Sequence, residues 1–277
     1  MQELRRGMIV YRRFFQARSK PRRIAAELTG GIGLYYWDET ENLGDYLSYV
    51  ICDHMISGKV SKARQTDGVL YAIGSILGFI RQDATVWGSG ILSDDWAYRL
   101  YIKHSALDIR AVRGPNTAKV LRSFGVDCPT VYGDPAILMP HVYQPACAEK
   151  KYACTFIPHL SDHTEIPPDS GIHRIDIRTR DYQRVIDEIA GSEKVISSSL
   201  HGVILAETYG VPAILLLHDY QNAFKYEDWY LSTGRDCVYA RSLEEAMSME
   251  PLPLPELSGL QKGLLDAFPW DLWNGQA

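Results

Sequence analysis

The chain has 277 residues, 46% of them hydrophobic and 23% charged, and a formal net charge of −5 at pH 7. This composition is typical of a globular protein with a sizeable core, and the length allows two modest α/β domains or one large one. No run approaches the roughly 20 apolar residues that a transmembrane helix needs. The five cysteines are scattered without CxxC spacing, which argues against a disulfide or zinc framework. With no secretory signal pattern at the first residues, these features predict a cytoplasmic protein.

Basic charge is concentrated at the start of the sequence. Residues 1–23 carry eight basic side chains against one acidic one, interleaved with aliphatic and aromatic residues. Such a segment is either amphipathic and lies on an anionic membrane surface, or is a disordered basic arm. The remainder of the chain is acidic, which argues against a nucleic-acid partner. We therefore predict a basic arm over residues 1–30 that contacts an anionic membrane.

Strand-like and helix-like segments alternate along the rest of the chain, a pattern typical of a mainly parallel sheet flanked by helices. The predicted elements of the first half are strands at 33–37, 68–75, 85–90 and 108–113, helices at 43–55 and 116–124, and a closing segment at 131–136. A proline-containing, helix-poor stretch from Met139 to Lys151 is the predicted linker.

The second half begins a new series of strands. The predicted elements are strands at 152–157, 172–177, 195–196, 213–217 and 237–239, helices near 180–191, 202–209 and 242–248, and a short helix after the proline-rich run at 251–255. This gives domains at 31–140 and 150–255, and a C-terminal helix and tail at 256–277 that we expect to pack back on the first domain. In open α/β sheets ligands bind at the carboxyl ends of the strands. The sequence does not specify an oligomeric state.

The most informative segment is Ser198-Ser199-Leu200-His201-Gly202, which lies between a predicted strand and a predicted helix. The first turn of a helix presents unpaired N–H groups and the positive end of the helix dipole, which together form an anion site. A histidine at that position can act as a cation and as a proton donor. The segment therefore predicts an anion-binding site with an acid beside it.

Other polar residues at strand ends leave two interpretations open. Asp45, together with Asn42, follows the first strand and is either a general base or a helix N-cap. His159 follows the first strand of the second half and either faces a cleft or is a buried structural histidine. Asp134 is interpreted as a turn former, because Gly-Asp-Pro is strong turn chemistry. The dispersed histidines contain no HxxxH or HExxH pattern, so no metal site is predicted.

Strand-end motifs recur in a distinctive order along the chain. They are Asn42-x-Gly44-Asp45, Trp87-Gly88-Ser89-Gly90, Arg113-Gly114-Pro115-x-Thr117, Gly133-Asp134-Pro135, Ser198-x-Leu200-His201-Gly202, the block at 224–230 and the tail at 267–273. In order and spacing the chain resembles the polysaccharide pyruvyl transferase family, and within it the xanthan ketal pyruvate transferase and the exopolysaccharide pyruvyl transferases.

This resemblance implies a fold, a reaction and a location. The implied fold is α/β, with two Rossmann-like domains and a cleft between them as in the glycosyltransferase-B architecture. The implied reaction transfers pyruvate from phosphoenolpyruvate to two hydroxyls of one sugar, which forms a cyclic ketal and releases phosphate. Phosphoenolpyruvate is a co-substrate and no cofactor is implied. The implied acceptor is a lipid-linked oligosaccharide at the inner face of the cytoplasmic membrane.

The resemblance also assigns roles to residues. Arg113 and His201 are expected to hold and activate the donor. The expectation that Asp45 acts as base comes from its position after the first strand and not from the resemblance. The expected donor-site contacts are Arg113, Ser198, Ser199, His201, Gly202 and Lys225, and the expected acceptor-site contacts are Asn42, Asp45 and His159. Many members carry Ser-Arg-Leu-His where this chain has Ser199 in place of the arginine, so one cation is missing, and Lys225 or Arg235 is expected to replace it.

Two other functions stay open at this point. A nucleotide-sugar glycosyltransferase of the same architecture would use an acidic residue such as Glu207 to bind a ribose, because fold alone does not fix function. A non-catalytic assembly protein would bind a lipid-linked sugar without releasing phosphate from phosphoenolpyruvate.

Overall fold

The computed structural model of the chain describes residues 26–28, 32–56, 69–80, 83–93, 106–145 and 149–272. The basic segment at residues 1–23 lies outside the described residues. Within them, no helix combines the length and the apolar character needed to cross a membrane.

The first sheet has five strands that lie side by side in chain order. They are β1 (Ala26–Leu28), β2 (Ile32–Tyr35), β3 (Val69–Tyr71), β4 (Ala84–Trp87) and β5 (Leu107–Ala111). β1 pairs antiparallel with β2, and the other pairs are parallel. All residues of β3 and β4 are buried, as expected for parallel strands covered on both faces.

The second sheet is entirely parallel and has the order β10-β9-β8-β6-β7. Its strands are β6 (Thr155–Ile157), β7 (His173–Arg174), β8 (Val195–Ser197), β9 (Ala213–Leu216) and β10 (Tyr239–Ala240). β6 has β7 on one side and β8 on the other, so the connections that leave β6 and β7 run in opposite directions across the sheet. The topological switch point therefore lies between β6 and β8. Crevices that bind ligands form at such a reversal, at the carboxyl ends of the strands.

Helices connect the strands and cover the sheets. The described α-helices are α1 (Leu43–Ile56), α2 (Pro115–Ser123), α3 (Tyr182–Ala190), α4 (Leu200–Thr208), α5 (Phe224–Ser232), α6 (Leu243–Ser248) and α7 (Ser258–Asp266). Local chemistry sets several of their starts. Pro115 occupies the first position of α2, and the side chains of Asp181 and Ser242 accept hydrogen bonds from the first turns of α3 and α6.

A single apolar cluster runs through both halves of the protein. It includes Leu34 and Trp87 from the first sheet, and Ile157 and Leu215 from the second. A 3-10 helix, Pro135–His141, packs against α1 and α4 and contributes buried residues to this cluster. The structure therefore agrees with the predicted α/β class and its parallel sheets, and this cluster is shared between them, whereas two smaller clusters each belong to one half.

The first residues of the predicted linker belong to a buried 3-10 helix in the structure. Met139 is fully buried inside the 3-10 helix, so the stretch from Met139 to Lys151 begins in the core rather than in an exposed connection. The sequence lacks helical periodicity here because a 3-10 helix with Pro140 inside it has a different repeat.

The C-terminal segment packs on the first sheet. The indole Nε1 of Trp87 donates a hydrogen bond of 2.8 Å to the carbonyl of Leu264 in α7. The Phe268 ring stands edge-on to Trp87 with 4.8 Å between centroids. An ion pair of 2.8 Å joins Arg110 of β5 to Asp271, next to the end of the described chain.

Candidate functional site

A cavity of about 620 Å³ opens where the carboxyl ends of strands from both sheets meet. Its walls come from the loops and helix starts that follow β2, β3, β5, β6, β7, β8 and β9, and they include the reversal between β6 and β8. The chemistry-bearing side chains on its walls are Asn42, Asp45, Ser75, Arg113, His159, Ser161, Arg178, Ser199, His201, Gln221, Asn222 and Lys225. Seven residues named from the sequence thus share one cavity: Asn42, Asp45, Arg113, His159, Ser199, His201 and Lys225.

Arg113 follows β5 and is fully buried. Its guanidinium donates to Asp228 Oδ2 (3.1 Å), to Ser75 Oγ (2.6 Å) and to the carbonyl of Ile91 (2.6 Å). A side chain at Gly90 would place its Cβ 2.4 Å from the Arg113 Cζ, so only glycine leaves room for the guanidinium. A guanidinium has five N–H donors, and partners among the described residues occupy three of them.

Asp228 of α5 holds Arg113 in place and was not identified from the sequence. Its carboxylate also accepts hydrogen bonds from the backbone N–H of Thr117 (3.0 Å) and from the Thr117 hydroxyl (2.6 Å). The buried Asp228 carboxylate therefore joins the middle of α5 both to the first turn of α2 and to Arg113. The only signal in the sequence was that Asp228 belongs to the 224–230 block.

His201 is the second residue of α4 and lies between Gly44 and Asp134. Its Nε2 is 3.5 Å from Asp134 Oδ2, close enough for an ion pair when the imidazole is protonated but too far for a good hydrogen bond. Both atoms are buried and have no hydrogen-bond partner within the described part of the chain. On the other side of the ring, a Cβ at Gly44 would lie 2.0 Å from Nδ1, so the ring occupies space that only glycine provides.

Within the described residues, no N-cap side chain occupies the N–H groups at the start of α4. The residue before the helix, Ser199, makes no side-chain capping bond to the first turn, and its own N–H is used by Ser197 Oγ. The unpaired N–H groups of a helix start, with the helix dipole behind them, favour an anion.

Asp45 is the third residue of α1, so it is not the N-cap of that helix; Asn42 immediately precedes the helix. Burial raises the pKa of Asp45 to about 6, although His201, the Asn42 amide and Lys225 act in the opposite direction. The Asn42 amide nitrogen donates to Asp45 Oδ2, whereas Asn42 Oδ1 is buried without a partner among the described residues. A carboxyl with a pKa near 6 can both accept and return a proton near neutral pH.

Lys225 is the second residue of α5, and its ammonium group has no carboxylate partner among the described residues. Neither a hydrogen bond nor an ion pair of its Nζ is found within the described ranges, and Nζ lies 4.8 Å from the centroid of the Tyr226 ring. Burial and the neighbouring Arg113 lower the pKa of Lys225 to about 8, against the attraction of Asp45. An anion bound beside it would compensate both effects.

His159 is a neutral group at neutral pH. Burial and the charge of Lys225 lower the pKa of His159 to about 3. Its Nδ1 is 2.9 Å from Ser161 Oγ, and its ring lines the cavity. It can hydrogen bond with a hydroxyl, but it does not supply a positive charge.

Ser198 and Gly202 do not line the cavity. The fully buried Ser198 hydroxyl donates to Asp162 and accepts from the N–H of His159. A Cβ at Gly202 would lie 2.3 Å from Ser197 Oγ. Both residues therefore shape the loop between β8 and α4, and their expected contact with the donor stays a prediction.

The arginine expected to replace the missing cation is engaged elsewhere. Arg235 pairs with Glu207 through two bonds of 2.7 and 2.8 Å, and Trp229 also donates to this carboxylate. Neither Arg235 nor Glu207 lines the cavity, so Glu207 is not placed to bind a ribose there. Arg178 does line it and was missed in the sequence; the signal available was its position directly after a predicted strand.

The described residues contain no group of three or more His, Cys, Asp or Glu side chains placed to hold a metal ion. The acidic side chains at the cavity, Asp45 and the neighbouring Asp134, instead face His201.

Comparison with known proteins agrees with the motifs. The polysaccharide pyruvyl transferase family model matches residues 57–220, a range that contains Arg113, His159 and His201. The chain is 30% identical over 221 residues to the succinoglycan biosynthesis protein ExoV of Rhizobium meliloti (strain 1021), which covers 72% of this chain and 64% of ExoV. It is 26% identical over 200 residues to the uncharacterized protein L143 of Acanthamoeba polyphaga mimivirus, covering 68% of each. The chain thus spans slightly less than two thirds of the length of ExoV. It belongs to the polysaccharide pyruvyl transferase family.

Proposed function

We propose that this protein transfers pyruvate from phosphoenolpyruvate to two hydroxyls of one sugar in a lipid-linked exopolysaccharide repeat, forming a cyclic ketal and phosphate. The observation that carries the proposal is the meeting, in one cavity, of a cation without an ion-pair partner among the described residues, a helix start, a carboxyl group and an imidazole: Lys225, α4, Asp45 and His201. Family membership supports the same reaction.

The donor carries two anionic groups, a phosphate and a carboxylate, and the cavity offers matching donors. Among the described residues, Lys225 has no carboxylate partner and Arg113 has partners for three of its five N–H groups, and the first turn of α4 adds backbone N–H groups. Charge-assisted hydrogen bonds of this kind are the strong ones. Lys225 and Arg178 supply positive charge in a cavity where Ser199 replaces an arginine.

The chemistry requires an acid and a base. Protonation of the donor methylene carbon makes it a methyl group and lets the first sugar hydroxyl bond to the adjacent carbon, giving its proton to a base. The second hydroxyl then bonds to the same carbon while the carbon–oxygen bond to phosphate breaks, and phosphate leaves with that electron pair. The two sugar hydroxyls release two protons. One restores the acid that protonated the methylene carbon, and the other leaves with phosphate. His201 is the proposed acid and Asp45, with its pKa of about 6, the proposed base.

The acceptor would lie beside Asn42, Asp45 and His159. Asn42 Oδ1 is a buried acceptor without a partner in the described structure, and the neutral His159 can bond to a second hydroxyl. Leaving a buried acceptor unpaired is costly, so a sugar hydroxyl donating to Asn42 would be favourable. We further propose that the two sheets form the glycosyltransferase-B-like walls of this cleft, and that the basic segment brings the protein to the inner face of the cytoplasmic membrane.

The test measures phosphate release from phosphoenolpyruvate with a lipid-linked or synthetic oligosaccharide acceptor. We expect acceptor-dependent release and a product heavier by one pyruvate less one water. His201→Ala should lose this activity, whereas His141→Ala, a change of an exposed histidine, should keep it. Binding of acceptor without phosphate release would indicate a non-catalytic protein. Turnover of a nucleotide sugar in place of phosphoenolpyruvate would overturn the proposal.

A further inference from the structure

We propose that Asp134 is a positioning residue for His201: its buried carboxylate fixes the proton on the imidazole Nε2, while Gly44 provides the space in which the ring lies. The inference rests on the proposed function, because it assigns a partner to the proposed acid.

The two oxygens of Asp134 have different roles. Oδ1 accepts a 3.0 Å hydrogen bond from the N–H of Ala136 and starts the 3-10 helix. Oδ2 has no hydrogen-bond partner in the described structure, although Asp134 is fully buried. A turn needs only the first oxygen, so turn formation alone does not account for the second.

His201 Nε2 supplies what Oδ2 lacks. It is likewise buried and unpartnered among the described residues, and it faces Oδ2 at 3.5 Å. A movement of about 0.5 Å would bring the two atoms to hydrogen-bond distance. The oxygen of an ionised carboxylate accepts and does not donate, so this contact favours a proton on Nε2.

Gly44 determines where the ring can lie. A Cβ there would be 2.0 Å from Nδ1 and 2.4 Å from Cγ of His201. These overlaps involve a ring held between two buried neighbours, so the ring would have to leave its place. The first turn of α1 and the Asp134 carboxylate thus hold the imidazole from opposite sides.

Asp134→Asn separates the two roles of this side chain. The N–H of Ala136 still needs an oxygen, so the amide keeps its oxygen at the cap and turns its NH₂ toward Nε2. An NH₂ donor there favours an unprotonated Nε2 and places the ring proton on Nδ1. The substitution should therefore reverse the imidazole tautomer with little effect on the fold.

The test is nitrogen-15 NMR of the full chain labelled at histidine. We expect wild-type His201 to carry a proton on Nε2, and the neutral ring of Asp134→Asn to carry it on Nδ1. Asp181→Asn is the matched control, because Asp181 also caps a helix through one oxygen without facing an imidazole. Gly44→Ala should move the His201 signals, whereas Gly259→Ala should not. Gly259 holds the same second position in α7, and a Cβ there meets nothing within 4 Å.

The wild-type spectrum alone can overturn the inference, even if a variant fails to fold. A wild-type neutral ring protonated on Nδ1 would do so, as would an unchanged His201 spectrum in folded Asp134→Asn. Where phosphate release is observed, kcat of Asp134→Asn should fall about a hundredfold, within the range for acid–base groups, with little change in KM for phosphoenolpyruvate. A tautomer reversal in a protein that does not turn over phosphoenolpyruvate would uphold the positioning role and reject the proposed function.

Discussion

Arg113 should be as important for stability as for the donor. Removing one partner of a buried ion pair typically costs 3–5 kcal/mol, because the other charge is left uncompensated. In Arg113→Ala that charge is Asp228, which keeps its two hydrogen bonds from Thr117. These bonds place the expected loss of unfolding free energy at the low end, about 3 kcal/mol.

For a chain of this size 3 kcal/mol corresponds to a Tm lowered by about 6–12 °C. Urea unfolding followed by tryptophan fluorescence and circular dichroism measures the loss directly. Arg178→Ala is the comparison, because this cavity arginine is 40% exposed and its surface ion pair is worth less than about 1 kcal/mol. The double variant Arg113→Met with Asp228→Asn should recover part of the stability without recovering activity, because the amide removes the buried charge and its oxygen still accepts from the Thr117 N–H.

The reasoning would be refuted by an Arg113→Ala protein that unfolds at the wild-type urea concentration. That result would mean that the contacts to Asp228, Ser75 and Ile91 contribute nothing to stability, and that Arg113 serves the ligand alone. A double variant as unstable as Arg113→Ala would also contradict the argument, because the uncompensated charge would not be the cause.

Two further predictions follow from shifted pKa values. The pKa of Asp45 rises from 3.8 to about 6 on folding, so the folded state loses stability relative to the unfolded state as pH rises from about 4 to about 6. In urea unfolding, Asp45→Asn should raise the free energy of unfolding by up to about 3 kcal/mol above pH 6 and leave it unchanged below pH 4. The pKa of Lys225 is about 8, so at pH 8 binding of phosphoenolpyruvate should be accompanied by uptake of about half a proton as the amine becomes fully charged. Calorimetry in buffers of different ionisation enthalpy measures this uptake, and Lys225→Met should abolish it.

Each of these predictions has a control in the same protein. For Asp45→Asn the control is the same variant unfolded at pH 4 as well as at pH 7.5. A gain for Asp45→Asn that is equal at pH 4 and pH 7.5 would show that a raised pKa is not its source. Lys119→Met, an exposed change in α2, should leave proton uptake intact. Uptake that persists in Lys225→Met would assign the proton to another group.

Local pattern was sufficient for much of the fold. The helix predicted near 180–191 is α3, because Val185, Ile186 and Ile189 form one buried face and Asp181 caps its start. α5 was not predicted from periodicity, because its buried residues are mainly aromatic and include Asp228. Packing against the rest of the protein, rather than a regular apolar stripe, determines that helix.

The candidate site was predictable only in part. Polar residues at the carboxyl ends of parallel strands mark the ligand-binding edge of each sheet, which is why Asn42 and Asp45 after β2 and His201 after β8 could be named as candidates. The pairing of Arg113 with Asp228 spans 115 positions in the chain and leaves no trace in local sequence. The position of the second oxygen of Asp134 beside His201 was also missed, because the Gly-Asp-Pro turn motif involves only one carboxylate oxygen.

The continuous core has a consequence for how this protein can work. Because one apolar cluster and the 3-10 helix Pro135–His141 belong to both halves, the walls of the cavity form together, in the same cooperative transition as the rest of the core. Separating the sheets would expose buried residues such as Ile137 and Leu138 to water, at a cost of about 1.5–3 kcal/mol for each such side chain. A ligand of this cavity would therefore enter through the existing mouth rather than through wide separation of the two sheets.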